Sequence, residues 1–126
     1  MSVFDLNEYE VKIDKIISKS FSASYMSNAK WRKLFTAIDK ESLSIDSFMI
    51  KRVNRDAPYR TYLPDKDDIE ELWVSEGKND CNYFYKEIEW IEFQSEVLPL
   101  TEIISSLGSF EIDNSDNKLK IYGHKT

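Results

Sequence analysis

The spacing of apolar residues near the N-terminus predicts an amphipathic helix. Leu6, Tyr9, Ile13 and Ile17 recur at intervals of three and four residues, which places them on one face of an α-helix. Charged residues fill most of the positions between them. We therefore predict a first helix over residues 5–20, followed by a short serine-rich connection.

A second helix is predicted over residues 27–40. Its apolar residues follow the i, i+3, i+4, i+7 pattern of a buried helix face: Trp31, Leu34, Phe35 and Ile38. Ser27 stands where an N-cap residue would accept a hydrogen bond from the first turn. Met26 and Trp31 have the spacing of a hydrophobic staple, which supports a helix beginning next to Ser27.

The middle of the chain is typical of β-structure. Four stretches are rich in β-branched and aromatic residues or alternate between apolar and polar positions: residues 48–53, 59–63, 72–74 and 83–93. The polar residues 76–80 predict a turn before the last of these strands. The alternation of apolar and polar residues over 83–93 is broken in places, so we expect a β-bulge there or a strand with both faces exposed to solvent.

A short helix and a hairpin complete the pattern. Apolar residues between Leu98 and Leu107 predict a third helix, which Gly108 would end. Strands at 110–112 and 119–121 flank the polar turn 113–117. Consecutive strands joined by short turns favour an antiparallel sheet of about five to six strands. With two N-terminal helices and one short C-terminal helix packed on it, we predict a single α+β domain over residues 1–126.

Composition supports a folded, soluble, cytoplasmic protein. The chain of 126 residues is 41% apolar and 32% charged, a balance typical of one globular domain. No apolar run approaches the roughly 18 residues that a membrane span needs. The acidic N-terminal residues do not resemble a signal peptide. Cys81 is alone, which excludes an internal disulfide and fits a reducing compartment.

Charge is distributed unevenly along the chain and indicates a binding surface. Residues 1–64 hold eleven Lys/Arg and eight Asp/Glu, a net charge of +3; residues 65–126 hold six Lys and fifteen Asp/Glu, a net charge of −9. Eleven acids lie within residues 65–96, interleaved with aromatic residues. Acids steer a basic partner and aromatic side chains anchor it. The predicted partner-binding residues are Asp65, Asp67, Asp68, Glu70, Glu71, Trp73, Glu76, Asp80, Glu87 and Glu89.

Two alternatives for the charged residues stay open at this point. The acids could instead face a basic stretch of the same chain or of a second copy, formed by Lys51, Arg52, Arg55 and Arg60. The same basic stretch, with its neighbouring tyrosines, could bind RNA. A net charge of −6 argues against nucleic acid as a partner, because phosphates would be repelled overall.

Catalytic and metal-binding patterns are weak. We expect His124 to be an exposed residue of a mobile tail, and Cys81 beside Asp80 has no cation to activate its thiol. The chain has too few Cys and His residues for a zinc site, and its acids lack the calcium-loop spacing. Its glycines are too scattered to hold phosphates. We therefore expect no catalysis, metal or cofactor. A small carboxylate enzyme built on Glu87, Glu89 and Glu92 is the alternative.

Three segments resemble a family of small bacterial proteins of the DUF6678 type: residues 28–35 (NAKWRKLF), 85–92 (YKEIEWIE) and 119–123 (LKIYG). The resemblance runs from Asn28 onward and leaves the first 25 residues outside. It implies no catalytic residues, since the family has none established. In size and charge alone, the chain is also similar to bacterial immunity proteins, which bind and block a cognate toxin.

These observations favour a protein-binding inhibitor. The expectation is an immunity protein, monomeric or homodimeric, that neutralises a cognate toxin through the acidic residues. The toxin would be basic, for example a nuclease. The other hypotheses are the carboxylate enzyme and an adaptor or homodimer of unknown function.

Overall fold

The computed structural model of the chain describes residues 6–41, 45, 47–64, 67–70, 73–76, 81–95 and 97–126. Its helices are α1 (Leu6–Ser20), α2 (Asn28–Lys40) and α3 (Val97–Leu107). Its strands are β1 (Ala23–Ser24), β2 (Ser47–Arg52), β3 (Tyr59–Tyr62), β4 (Trp73–Glu76), β5 (Cys81–Phe84), β6 (Ile88–Phe93), β7 (Ile112–Ser115), β8 (Lys118–Tyr122) and β9 (His124–Lys125). A 3₁₀ turn, Tyr85–Glu87, joins β5 to β6.

The main sheet has five antiparallel strands in the order β3-β2-β6-β8-β7. Strand β6 is central, and its Ile91 lies opposite Ile50 on one side and Ile121 on the other. Two smaller ladders pair β4 with β5 and β1 with β9. The predicted α+β class and the antiparallel sheet are confirmed.

Helix α2 packs the predicted apolar face against the sheet. The Ser27 side chain accepts a hydrogen bond from the Lys30 backbone N–H at 3.1 Å, which satisfies a donor of the first turn. The ring of Phe35 lies 6.0 Å from that of Phe48, which in turn lies 5.5 Å from Phe93. Helix α3 adds Leu100 to the same core. Both the predicted cap and the predicted buried face are confirmed.

The single strand predicted over residues 83–93 is wrong. The structure breaks it into β5 and β6, because the 3₁₀ turn Tyr85–Glu87 redirects the chain between the small β4–β5 ladder and the main sheet. The Ile88 N–H closes the turn by donating to the Tyr85 carbonyl. The Val53 N–H, just after β2, donates to the Glu87 carbonyl at 2.8 Å and ties the turn to β2. The interrupted alternation in the sequence therefore reflects a change of sheet.

The remaining predicted elements differ mainly at their ends. Helix α3 ends before Gly108, which has a φ of +140°. The hairpin turn is tighter than the predicted turn 113–117: only Asp116 and Asn117 form it, with φ values of +52° and +60°. Both residue types tolerate left-handed conformations, which two-residue hairpin turns require. In the described part of the chain, no helix is long and apolar enough to cross a membrane.

Candidate functional site

Part of the predicted acidic surface is a loop whose backbone is fixed to the core. This acidic loop, residues 67–70, precedes β4. The Glu70 N–H donates to the Trp73 carbonyl at 3.0 Å, and the Tyr85 hydroxyl donates to the Glu70 carbonyl at 2.7 Å. Tyr85 is fully buried. Burial, only partly opposed by the charge of Arg32, raises the pKa of Tyr85 to about 12, so its hydroxyl keeps its proton near neutral pH.

The side chains of the acidic loop lie towards solvent. Asp67 and Glu70 are exposed, and Asp68 is partly buried. Trp73, which follows in β4, is also partly buried, and its ring meets Phe84 edge to face at 6.1 Å. The structure therefore brings together three predicted acids and the predicted aromatic anchor within one short stretch.

Four other predicted partner-binding residues have no described side chain. Asp65, Glu71 and Asp80 lie outside the described residues. Glu76 belongs to β4 through its backbone, opposite Cys81. The acidic loop and Trp73 are therefore the part of the predicted surface between residues 65 and 80 whose side chains are described.

Glu87, predicted to lie on the partner-binding surface, is a buried residue. Its side chain has no exposure to solvent, and one of its oxygens, Oε1, accepts a hydrogen bond from Arg52 Nη2 at 2.7 Å. The other oxygen accepts the Phe84 N–H at 2.7 Å. The 3₁₀ turn carries the side chain inward, where it neutralises a buried guanidinium. Glu87 is thus a structural counter-ion rather than a contact for another protein.

The Arg52–Glu87 pair also fixes helix α1. The Tyr9 hydroxyl donates to Glu87 and accepts from Arg52 Nη2 at 3.0 Å and from Asn54 Nδ2 at 3.1 Å. Burial and the negative charge of Glu87 raise the pKa of Tyr9. Burial opposes the charge on Arg52, but its attraction to Glu87 outweighs this and the pKa of Arg52 is raised. Both groups therefore keep their protons near neutral pH.

The acids of β6 face cations of the same chain. Glu89 lies 3.0 Å from Lys51 of β2, and Glu92 lies 3.9 Å from Lys120 of β8. Each of the three carboxylates of the enzyme hypothesis is thus bridged to a different cation. Two of the four residues of the basic stretch, Lys51 and Arg52, form ion pairs within the chain. The alternative in which the acids face the chain's own basic stretch therefore holds for Glu89 and Glu87.

His124 was expected in a mobile tail, and this expectation is wrong. The ring is buried, with Nδ1 2.7 Å from the Ser24 hydroxyl oxygen and Nε2 2.7 Å from the Lys86 carbonyl oxygen. Burial lowers the pKa of His124. Strand β9 holds the residue by pairing with β1. This contact was not predictable from the sequence, because a two-residue strand has no periodicity and the partner of His124, Ser24, lies a hundred residues away.

Gly123 lets β9 approach the sheet. Its N–H donates to the Glu89 carbonyl at 2.7 Å, and a Cβ at this position would lie 2.2 Å from the Ile88 carbonyl oxygen. Only glycine fits such a close approach without a backbone shift. This glycine was a signal that the segment after β8 is packed rather than free.

Metal ligands are not clustered in the part of the chain that the structure describes. No group of three or more His, Cys, Asp and Glu side chains there is placed to hold a metal ion. The described geometry instead offers a fixed acidic loop and several internal ion pairs.

A comparison with protein families identifies a match. The model described as "Family of unknown function (DUF6678)" matches residues 13–125. The matched region begins within α1, so residues 13–25 belong to it, contrary to the expectation that the first 25 residues lie outside. No curated protein and no solved structure matches the chain.

Proposed function

Because the chain belongs to the DUF6678 family, whose function is unknown, we propose a function from the site itself. The protein is a non-catalytic inhibitor of the immunity type. It binds a basic toxin through the acidic loop, residues 67–70, and covers the toxin's active surface. Trp73 anchors the contact beside the acids.

The observation that carries this proposal is the fixed backbone beneath exposed acids. The buried Tyr85 holds the Glu70 carbonyl at 2.7 Å, while the Asp67 and Glu70 side chains are exposed. A loop that is already ordered loses less conformational entropy when a partner binds. Acids presented in this way accelerate the encounter with a positively charged surface.

The other acids of residues 65–96 help to define the proposed contact. Glu87 is buried against Arg52, and Glu89 is paired with Lys51. Both side chains are less accessible to a second protein than the exposed Asp67 and Glu70 side chains. The proposed interface is therefore narrower than the predicted one and centres on the acidic loop and Trp73.

The test begins with the partner and then measures its association rate. A toxin reading frame next to the gene, or a basic protein captured from the native host, supplies the candidate. Its association is measured by stopped-flow fluorescence at about 50 mM and 500 mM NaCl, where charge screening differs strongly. We expect the variant Asp67→Lys/Asp68→Lys/Glu70→Lys to slow association by about tenfold or more at low salt and to flatten its salt dependence.

A matched control distinguishes the effect of the acidic loop on the association rate from the effect of the net charge. The variant Glu41→Lys/Glu102→Lys/Asp113→Lys makes the same change in net charge at three exposed acids away from the acidic loop. It should keep most of the association rate. Equal rates for wild type and the loop variant, or equal losses for both variants, would show that the acidic loop is not the binding site.

A further inference from the structure

A groove with a basic border lies between α2 and the end of α3. Its volume is about 600 Å³, and it is lined by apolar and cationic side chains of α2, by Leu107 of α3 and by the hydroxyl residues Thr36 and Ser106. The apolar residues of α2 in the lining are Ala29 and Ala37, and the cations are Arg32, Lys33 and Lys40. A chain of net charge −6 thus concentrates positive charge along one helix face. The core-facing residues of α2, Trp31 and Leu34 among them, are separate from this lining.

We propose that this groove binds a short, extended, acidic segment of a partner protein. The positive groups are separated by seven to eight residues of α2, from Arg32 and Lys33 to Lys40. An α-helix rises about 1.5 Å per residue, so the two ends of the basic border lie about 11–12 Å apart. An extended chain rises about 3.3 Å per residue, so carboxylates three to four residues apart on it match this distance.

An extended segment would place one apolar side chain against Ala37 and Leu107 and a carboxylate at each end of the basic border. The lining, all of it in the described part of the chain, has no aromatic ring on which a base could stack, which argues against single-stranded nucleic acid as the occupant.

The test changes Lys33 and Lys40 of the groove and leaves the acidic loop unaltered, so the two proposals can be tested separately. The probe is a pentapeptide of the sequence Glu-Ala-Leu-Ala-Glu, blocked at both ends, added to the ¹⁵N-labelled full chain in steps up to about 5 mM, a range suited to weak peptide binding. We expect shifts of the amide signals of Ala29, Ala37 and Leu107. Replacing both glutamates of the peptide by glutamine should weaken binding by about tenfold or more.

Two charge-reversal variants complete the experiment. Lys33→Glu/Lys40→Glu should weaken peptide binding by about tenfold or more, while Lys15→Glu/Lys19→Glu, the same change at exposed sites of α1, should alter it by less than about twofold. Absence of groove shifts, or equal shifts with the glutamine peptide, would overturn the proposal. It would also be overturned if single-stranded RNA shifted these amides when the peptide did not, or if protein concentration alone shifted them, which would indicate a second copy.

Discussion

At the scale of single residues, Glu87 and Arg52 show how burial changes the meaning of a charge. Removing both ions from water costs several kcal/mol, and their attraction offsets this only when other hydrogen bonds complete the site. Here the Phe84 N–H and the Tyr9 hydroxyl supply such bonds to the two oxygens of Glu87. The pair therefore stabilises the fold only while both partners are present.

The first prediction concerns the loss of one partner of this pair. Glu87→Gln should lower the free energy of unfolding by about 3 kcal/mol, because it leaves the Arg52 charge buried without a counter-ion. Urea denaturation followed by circular dichroism measures the change. The double variant Arg52→Met/Glu87→Gln should recover part of the loss, since it removes the uncompensated charge. The prediction would be contradicted if the double variant had no higher free energy of unfolding than Glu87→Gln alone.

A second prediction concerns His124 and pH. Burial lowers its pKa below the usual value near 6.5, although the Lys86 carbonyl and Glu89 act in the opposite direction. The unfolded chain then binds a proton more readily than the folded chain. Stability should be constant above about pH 7.5 and fall as the pH drops through 6.5 towards the lowered value.

Urea midpoints between about pH 8 and 5.5, above the range where carboxylates titrate, test this dependence. His124→Gln should lose much of the slope, because the side chain no longer titrates. The interpretation would be wrong if wild type and variant showed the same slope, or if wild type became more stable as the pH fell.

At the scale of elements, the close contact between Gly123 and β6 determines how β9 reaches the body of the fold. The Tyr25 N–H donates to the Gly123 carbonyl at 2.8 Å, while the Gly123 N–H bonds to Glu89. One glycine therefore links the segment after β1 to the central strand. A side chain there would push on the backbone of Ile88.

The third prediction is that Gly123→Ala destabilises the protein by about 2–3 kcal/mol, in the range of overpacked cores. Thermal unfolding monitors the loss. Gly108→Ala is the comparison: its Cβ would meet nothing within 4 Å, and the positive φ alone should cost about 1 kcal/mol. A loss below about 1 kcal/mol for Gly123→Ala would show that steric contact with Ile88 is not the controlling factor.

Elements whose signals are local were predictable from the sequence. Helix α2 was located to within a residue because its cap, Ser27, and its apolar face lie in one continuous stretch. The strand over residues 83–93 was predicted incorrectly, because the inward turn at Glu87 depends on Arg52, which lies 35 residues away. The same holds for His124, whose partner Ser24 is a hundred residues distant.

At the scale of the whole molecule, the uneven charge has two separate roles. The charges of Glu87 and Glu89 are balanced within the fold by Arg52 and Lys51. The acidic loop remains exposed, and so does much of the basic border of the α2 groove. The sequence predicted one acidic surface, but Glu87 is buried against Arg52 and Glu89 is paired with Lys51, and composition carries no information about either contact.

The strand order also has a consequence for synthesis on the ribosome. Strand β6 ends at Phe93, but its second neighbour, β8, begins only at Lys118. Until β8 has emerged, one side of the central strand displays backbone donors and acceptors without a partner, and such an edge can pair with another nascent chain. Translation that pauses between these two points leaves this edge open for longer, so the speed of elongation over α3 and β7 governs how many chains escape aggregation.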